Sequence, residues 1–278
     1  MILINGKLKN TLEITDRGLH YGDGLFETIE VIQGQPVFLA QHLARLKTGC
    51  QRLKIPYPDE TLLLDEITRV SKTSKQQGVI KLMLTRGSGG RGYRQPEVLN
   101  PSRIIALYPF PDYPESFKTQ GIQTCFCSTR LGLNPLLAGI KHNNRLEQVL
   151  ARSEWQDEFQ EGLMLNLNEH VIEGTMSNLF VIKEQIVYTP EITVSGIKGV
   201  MRQLILNIAR QNQLPVCEIL FTRDFVLQAD ELFVSNSIIG IWPIKSLANK
   251  SYPVGLWTQK LMLYLAEYKA RDIPNDIT

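Results

Sequence analysis

Alternating and helically spaced apolar residues divide the first hundred positions of the chain into strands and helices. The stretch LFETIEVIQGQPVFL contains two β-like runs on either side of Gln33-Gly34, which predicts a hairpin. The next stretch, LAQHLARLKTGCQRL, predicts a helix because its apolar residues recur at helical spacing, at Leu39, Leu43, Leu46, Cys50 and Leu53.

Further along, DETLLLDEITRVSKTS begins with acidic residues and predicts a second helix. VIKLMLT and RIIALYPF predict two buried strands, separated by a long loop rich in glycine and arginine. Three prolines then lie between Pro109 and Pro114, and proline fixes φ and removes a backbone donor. We therefore expect a linker at residues 109–117, between an N-terminal domain (1–108) and a C-terminal domain (118–278).

The second half of the chain shows the same mixture of patterns. It predicts strands in GIQTCFCS, LMLNL, NLFVIK, QIVYT and ELFVSN. It predicts helices just after Lys141, in GVMRQLILNIARQN, and from about Leu256 to Ala270. We therefore expect an α+β fold of two domains, and binding sites commonly lie where two domains meet.

The composition is that of an ordinary globular protein. Of the 278 residues, 43% are hydrophobic and 21% are charged, and a net charge of +2 gives no electrostatic reason to expect nucleic-acid binding. The four cysteines form no CxxC pair and the histidines are scattered, so we expect reduced thiols and no metal site. The start, MILINGKLKN, is too short and polar for a signal peptide, and no apolar run has transmembrane length. These features predict a cytoplasmic protein that does not contact membranes.

Two glycine-rich segments are candidates for binding. DRGLHYGDGLFET leads into a strand, and its simplest interpretation is a tight turn that needs positive φ; it lacks the lysine and hydroxyl of a phosphate loop. TRGSGGRGYR, residues 85–94, contains four glycines and three arginines. It is either a solvated surface loop or a segment whose guanidinium groups bind an anionic substrate.

Lys141 is the candidate nucleophile. A single lysine is usually a solvated surface charge, but this one follows the apolar LLAGI, which resembles the end of a buried strand, and precedes a polar helix. A partly desolvated lysine loses its proton more easily and can form a Schiff base. The pattern therefore leaves two interpretations, a surface charge or a nucleophile in a cleft.

Other polar groups could bind a charged cofactor. Glu173 is flanked by apolar segments in VIEGTMSNLFVI, where it is either an exposed turn residue or a carboxylate that pairs with a protonated heterocyclic nitrogen. GIKGVMRQ opens a helix whose free N–H groups could bind phosphate, and FVSNSIIG ends a strand with hydroxyl and amide donors. A Schiff-base lysine, a carboxylate and a phosphate site together are the groups that pyridoxal phosphate requires.

These segments, in this order, resemble the fold-type IV pyridoxal phosphate enzymes, the class of branched-chain and D-amino acid aminotransferases. The similar stretches include HLARL, TRGSGGRGY, LGLNPLLAGIKHNNRLEQVL, EGTMSNLF, GIKGVMRQ and VLQADELFVSN. Within this class the chain is most similar to the bacterial aminodeoxychorismate lyases. The resemblance implies a two-domain α+β fold, a pyridoxal 5'-phosphate cofactor at the domain interface, and a homodimer.

The resemblance also implies a role for individual residues. Lys141 matches the lysine that forms the Schiff base and moves protons, and Glu173 matches the carboxylate that pairs with the pyridine nitrogen. The positions that match phosphate-binding residues are Arg45, Val200, Met201, Asn236 and Ser237. Arg91 and Tyr93 match positions that hold the substrate carboxylate.

The implied reaction is conversion of 4-amino-4-deoxychorismate to 4-aminobenzoate and pyruvate, a step of folate biosynthesis. Tyr93 agrees with the lyases, whereas Glu27 is common among the aminotransferases. Amino transfer from D-amino or branched-chain amino acids is therefore an alternative. A non-catalytic protein that keeps the fold for binding is a second one, although the presence of Lys141 and Glu173 argues against it.

Overall fold

The computed structural model of the protein describes residues 1–273, which form parts of two compact units. The first unit contains residues 1–111, 140–144 and 271–273. The second contains residues 112–139 and 145–270. The boundary after Pro111 lies inside the segment 109–117. Lys141, however, belongs to the first unit, whereas the sequence pattern assigns it to the C-terminal domain.

The first unit is built on a six-stranded antiparallel sheet with the strand order β2-β1-β6-β5-β3-β4. Its elements in chain order are β1 (Ile2–Ile4), β2 (Lys7–Leu8), α1 (Arg17–Tyr21), β3 (Gly24–Ile32), β4 (Gln35–Pro36), α2 (Leu39–Leu53), α3 (Glu60–Ser71), β5 (Gln77–Thr85) and β6 (Ser102–Pro109). The predicted hairpin is confirmed, because Gln33 and Gly34 both have positive φ and join β3 to β4. The predicted helix is confirmed as α2 over the same fifteen residues.

Helix α2 packs on β3 because each presents an apolar face. The apolar residues recur at helical spacing in α2 and at every second position in β3. Every second residue of β3 from Leu25 to Val31 is almost fully buried. Leu43, Leu46 and Cys50 of α2 are buried as well, and a side chain at Gly49 would collide with Leu25. One charged residue, Glu27, lies within this buried face.

The second unit is built on a nine-stranded mixed sheet. Its elements are α4 (Ser116–Thr119), β7 (Ile122–Leu131), α5 (Leu146–Arg152), β8 (Glu161–Asn166), β9 (Val171–Gly174), β10 (Asn178–Lys183), β11 (Ile186–Pro190), α6 (Val200–Gln211), β12 (Val216–Ile219), α7 (Arg223–Leu227), β13 (Glu231–Asn236), β14 (Gly240–Leu247), β15 (Lys250–Ser251) and α8 (Leu256–Asp272). Because β9 pairs with both β8 and β10, the strands β10-β13-β14-β7-β8-β9 close into a ring. The whole chain is therefore α+β, as the sequence predicts.

The local prediction around Lys141 is wrong. Residues 132–145 form turns and isolated bridges, so LLAGI does not end a strand, and the following helix begins only at Leu146. Within the expected linker 109–117, Pro109 ends β6 and Ser116 begins α4. Among the described residues, none of the helices combines the length and the apolar composition that a bilayer span requires.

Candidate active site

The backbone of Lys141 is held against the first residues of β3. The Phe26 N–H donates to the Lys141 carbonyl at 2.9 Å, and the Asn143 N–H donates to the Gly24 carbonyl at 3.0 Å. His142 forms an isolated bridge with Leu25. Since β4 pairs only with the end of β3, residues 141–143 occupy the edge that it leaves open. These contacts hold residues 141–143 against β3 as a neighbouring strand would be held, although the segment is not itself a strand. They therefore fix the position of the Lys141 backbone, from which its side chain extends.

The Lys141 side chain is half-buried, and its Nζ lies 4.4 Å from the centroid of the Phe26 ring. A lysine in contact with an aromatic face is less hydrated than one in bulk water. Lys141 is therefore not a fully solvated surface charge, the first of the two interpretations that the sequence allows.

Arg45 belongs to a buried polar cluster on the other face of β3. Glu27 accepts a hydrogen bond from Arg45 Nε at 2.8 Å, a second from Arg45 Nη2, and lies 2.6 Å from His42 Nδ1. Glu27 and His42 are almost fully buried, and 13% of the Arg45 side chain is exposed. The family resemblance pointed to Arg45, but His42 was not singled out, because nothing in the helical pattern distinguishes it from other polar residues of α2.

The charges in this cluster are held in one state by their surroundings. Burial pushes the pKa of Glu27 upward, but the charge of Arg45 and the hydrogen bonds from Arg45 and His42 outweigh it and bring the pKa to about 2. Burial lowers the pKa of His42, and the Arg45 and Lys141 charges lower it further, against the opposing effect of Glu27. At neutral pH the cluster is thus a carboxylate, a neutral imidazole and a guanidinium.

Arg91 and Tyr93 lie in an exposed loop. The side chain of Tyr93 is 88% exposed, and its ring centroid lies 5.5 Å from that of Tyr21. The loop is tied to α1, because Arg17 Nη1 donates to the Gly92 carbonyl at 3.0 Å. These two candidate substrate residues therefore extend from the surface of the first unit.

In the second unit, Glu173 is part of a polar row across three adjacent strands. Asn178 of β10 pairs with Glu173 of β9 on one side and with Ser235 of β13 on the other. Directly paired residues place their side chains on the same face of a sheet. All three residues are buried, and Ser235 Oγ has no hydrogen-bond partner among residues 1–273.

The segment that leads into α6 lies over this row. Glu173 Oε2 accepts a hydrogen bond from the Ile197 N–H at 2.8 Å, and Asn178 Nδ2 donates to the Ile197 carbonyl at 2.8 Å. Helix α6 then begins after Gly199 without a side-chain cap. The first backbone amides of α6, those of Val200 and Met201, are groups of the kind that bind phosphate at helix N-termini.

Asn236 uses its side chain to shape the turn after β13. Its Oδ1 accepts from the N–H groups of Ile238 and Ile239 at 2.8 and 2.9 Å, and its Nδ2 donates to the Met176 carbonyl at 3.1 Å. Ser237 is half-buried within the turn. The structure thus brings Glu173 and Asn178 into direct contact with the segment that leads into α6. Ser235 is one of the donors that the sequence indicates in FVSNSIIG, whereas Asn178 was not singled out.

The chain is similar over most of its length to proteins of known activity. A family model described as amino-transferase class IV matches residues 24–247. The chain is 38% identical over 266 residues to an aminodeoxychorismate lyase of Vibrio harveyi, covering 94% of this chain and 98% of that protein. It is 28% identical over 261 residues to a D-alanine aminotransferase of Bacillus licheniformis, covering 91% and 90%.

A solved structure shows the same fold. The crystal structure of 4-amino-4-deoxychorismate lyase from Pseudomonas aeruginosa superposes with a TM-score of 0.93 at 43% sequence identity, and the match covers 96% of this chain and 98% of that one.

Proposed function

Because the chain belongs to the amino-transferase class IV family, we propose that it is a pyridoxal 5'-phosphate-dependent lyase that converts 4-amino-4-deoxychorismate to 4-aminobenzoate and pyruvate. One observation supports the lyase over the aminotransferases. The chain is 38% and 43% identical to two lyases over nearly its full length, but 28% identical to the D-alanine aminotransferase. The reaction would place the protein in folate biosynthesis.

The described residues offer the donor set that this cofactor needs. Lys141 supplies an amine beside an aromatic ring, and Glu173 supplies a buried carboxylate. The α6 N-terminus has no side-chain cap, and the buried hydroxyl of Ser235 has no partner among the described residues. The free N–H groups at the start of α6 and the Ser235 hydroxyl can each donate a hydrogen bond to an anionic phosphate. Such a ligand would satisfy polar groups for which the described side chains provide no partner.

In this proposal Lys141 and Glu173 have the two chemical roles. When bound, the cofactor's pyridine ring accepts the electron pair released at the substrate carbon. Glu173 would pair with the pyridine nitrogen and keep it protonated, because a neighbouring carboxylate favours the charged form. Lys141 would hold the cofactor covalently until the substrate amine displaces it. Its freed amine would then remove the proton from the amine-bearing carbon of the substrate and return a proton to the departing three-carbon unit.

The remaining candidate residues would bind the phosphate of the cofactor and a carboxylate of the substrate. The phosphate would be held by the Arg45 guanidinium, the Val200 and Met201 amides, and the turn formed by Asn236 and Ser237. Since Asn236 already uses its side-chain oxygen within that turn, we assign it the role of shaping the turn and Ser237 the role of donor. Arg91 and Tyr93 would bind a substrate carboxylate, for which Arg offers bidentate geometry.

A homodimer is part of the same proposal, and an exposed apolar surface supports it. Leu146, Val149 and Leu150 lie at helical spacing on α5, and their exposed fractions are 76, 62 and 59%. Leu136, in the preceding loop, is 75% exposed. Contiguous apolar surface of this kind commonly marks an interaction site. We also propose a cytoplasmic location, as the sequence predicts.

Amino transfer is the second candidate function. The similarity to a D-alanine aminotransferase covers 91% of the chain, and both reactions begin with removal of a proton beside an amine. Glu27, which the sequence comparison associates with aminotransferases, does not separate the two cases, because its carboxylate binds Arg45 and His42 inside the first unit.

A coupled assay distinguishes these functions. Purified protein loaded with pyridoxal phosphate is given 4-amino-4-deoxychorismate, and pyruvate release is followed with lactate dehydrogenase. A parallel sample receives D-alanine and 2-oxoglutarate, and the amino acid product is measured. We expect turnover in the first sample at least about a hundredfold faster than in the second. Pyruvate release no faster than in a protein-free sample would refute the lyase proposal, and rapid amino transfer without it would establish the alternative.

A further inference from the structure

The cluster of Glu27, His42 and Arg45 has a composition that packing alone does not explain. Glu27 occupies a position on the buried face of β3 where Leu25, Ile29 and Val31 are its neighbours on the strand. Burying a carboxylate and an imidazole within such an apolar layer costs free energy that a hydrophobic residue would not cost. A polar cluster in this position therefore needs a reason beyond the stability of the fold.

The geometry of the cluster is specific for holding a guanidinium. Nε and Nη2 of Arg45 form one edge of its planar fork, and both donate to the Glu27 carboxylate. The fork fixes both the plane and the direction of the guanidinium, which a single hydrogen bond would leave free to rotate. A guanidinium held in this way keeps one orientation relative to Glu27.

His42 fixes the carboxylate in turn. An ionised carboxylate can only accept hydrogen bonds, so the proton in the His42–Glu27 contact must be on Nδ1 of the imidazole. His42 Nε2 is then an acceptor, and it is buried without a hydrogen-bond partner among residues 1–273. The His42 N–H thus orients the Glu27 carboxylate, and the carboxylate in turn orients the Arg45 guanidinium.

We propose that Glu27 and His42 are positioning residues that hold the Arg45 guanidinium ready for the phosphate of the cofactor. This inference rests on the proposed function, because it takes Arg45 as a phosphate-binding residue. Arginine has a large side-chain entropy, and binding an anion with a mobile arginine would require ordering it at that moment. The Glu27 fork orders it beforehand, while the protein folds.

The test separates phosphate recognition from binding of the rest of the cofactor. Dissociation constants of the apoprotein are measured for pyridoxal phosphate and for pyridoxal, which lacks the phosphate, and their ratio isolates the contribution of the phosphate. We expect Glu27→Gln to reduce this preference for pyridoxal phosphate by about tenfold, because the amide cannot accept from both nitrogens of the fork. An unchanged or increased preference in folded Glu27→Gln would overturn the inference.

The matched control is another buried carboxylate in the same unit. Glu66 accepts from Arg103 Nε at 2.9 Å and from Nη2 at 2.8 Å, so it forms the same type of fork in a different place. Glu66→Gln loses comparable interactions, and we expect it to leave the ratio unchanged. A similar drop in both variants would show a general effect of destabilisation and would also overturn the inference.

Variants of His42 keep the test decisive if Glu27→Gln does not fold. His42→Asn retains a side-chain N–H near the Nδ1 position, whereas His42→Leu has no donor. We expect His42→Leu to lower the preference for pyridoxal phosphate and His42→Asn to restore most of it, and equal ratios would contradict the proposal. If the unmodified protein itself shows no preference for pyridoxal phosphate over pyridoxal, the phosphate role of Arg45 fails instead, which is a failure of the proposed function.

Discussion

At the scale of single residues, Lys141 is the side chain on which the proposed reaction depends. We expect Lys141→Ala to lower lyase turnover by at least about a thousandfold, because both covalent attachment and proton transfer need its amine. The visible absorbance of the bound cofactor should be lost, while the circular dichroism spectrum stays unchanged, since the backbone of residue 141 rather than its side chain bonds to β3.

Lys81 provides the matched control for this substitution. Its Nζ lies 5.7 Å from the centroid of the same Phe26 ring that Lys141 contacts, but its side chain is exposed. Lys81→Ala removes the same type of contact, and we expect it to retain activity and colour. Full turnover by Lys141→Ala in the coupled pyruvate assay would refute the role assigned to the lysine.

The candidate residues differ in how far the sequence could identify them. Lys141 and Glu173 stand out because a charge beside apolar residues is unusual. His42 does not stand out, because helix periodicity places it beside Leu43 without indicating that Glu27 of another element faces it. Asn178 is equally hidden, since its position beside the candidate donor Ser235 follows from the pairing of β10 and β13.

At the scale of elements, the regular strands and helices were predictable and the segment that carries Lys141 was not. α2 and the β3–β4 hairpin follow from local periodicity and from turn residues with positive φ. Residues 141–143 take their structure from hydrogen bonds to Gly24 and Phe26, more than a hundred positions away. No local pattern indicates such a contact, which is why the sequence analysis expected the end of a strand before Lys141 and a helix just after it.

The close contact between β3 and this segment leads to a prediction for Gly24. A side chain at this position would approach the Leu84 carbonyl to 2.6 Å and Asn143 Nδ2 to 2.7 Å. Because the Leu84 carbonyl belongs to the β5 backbone that pairs with β3, relieving this collision must shift the start of β3, whose backbone groups at Gly24 and Phe26 also hold residues 141–143. We expect Gly24→Ala to weaken binding of pyridoxal phosphate by about tenfold, since small displacements of a reacting group are costly.

Gly132→Ala serves as the control for this effect. A side chain there would meet only Glu147 Oε1, at 3.1 Å, which belongs to a flexible side chain. Cofactor affinity and the thermal unfolding midpoint are measured for both variants. If Gly24→Ala binds the cofactor as tightly as Gly132→Ala, the position of the lysine does not depend on this contact.

At the scale of the whole molecule, the α+β class was predictable, but the topology and the assignment of Lys141 were not. The ring of strands in the second unit closes through one registered pair, Asn178 with Glu173, and a single pair leaves no trace in the pattern of apolar residues. The segment 140–144 joins the first unit although the chain before and after it belongs to the second. Division at a proline-rich stretch assumes that each domain is continuous, and here neither unit is.

The proposed homodimer can be tested through the exposed apolar side chains of α5. A stable interface needs a continuous apolar centre, and a charge placed there is costly to bury. We expect the unmodified protein to sediment as a dimer and the double variant Leu146→Glu/Leu150→Glu to sediment as a monomer. Leu263 on α8 is exposed to a similar degree, 58%, so Leu263→Glu is the matched control and should remain dimeric. A monomeric unmodified protein would refute the dimer itself, whereas a dimeric double variant would show that α5 lies outside the interface.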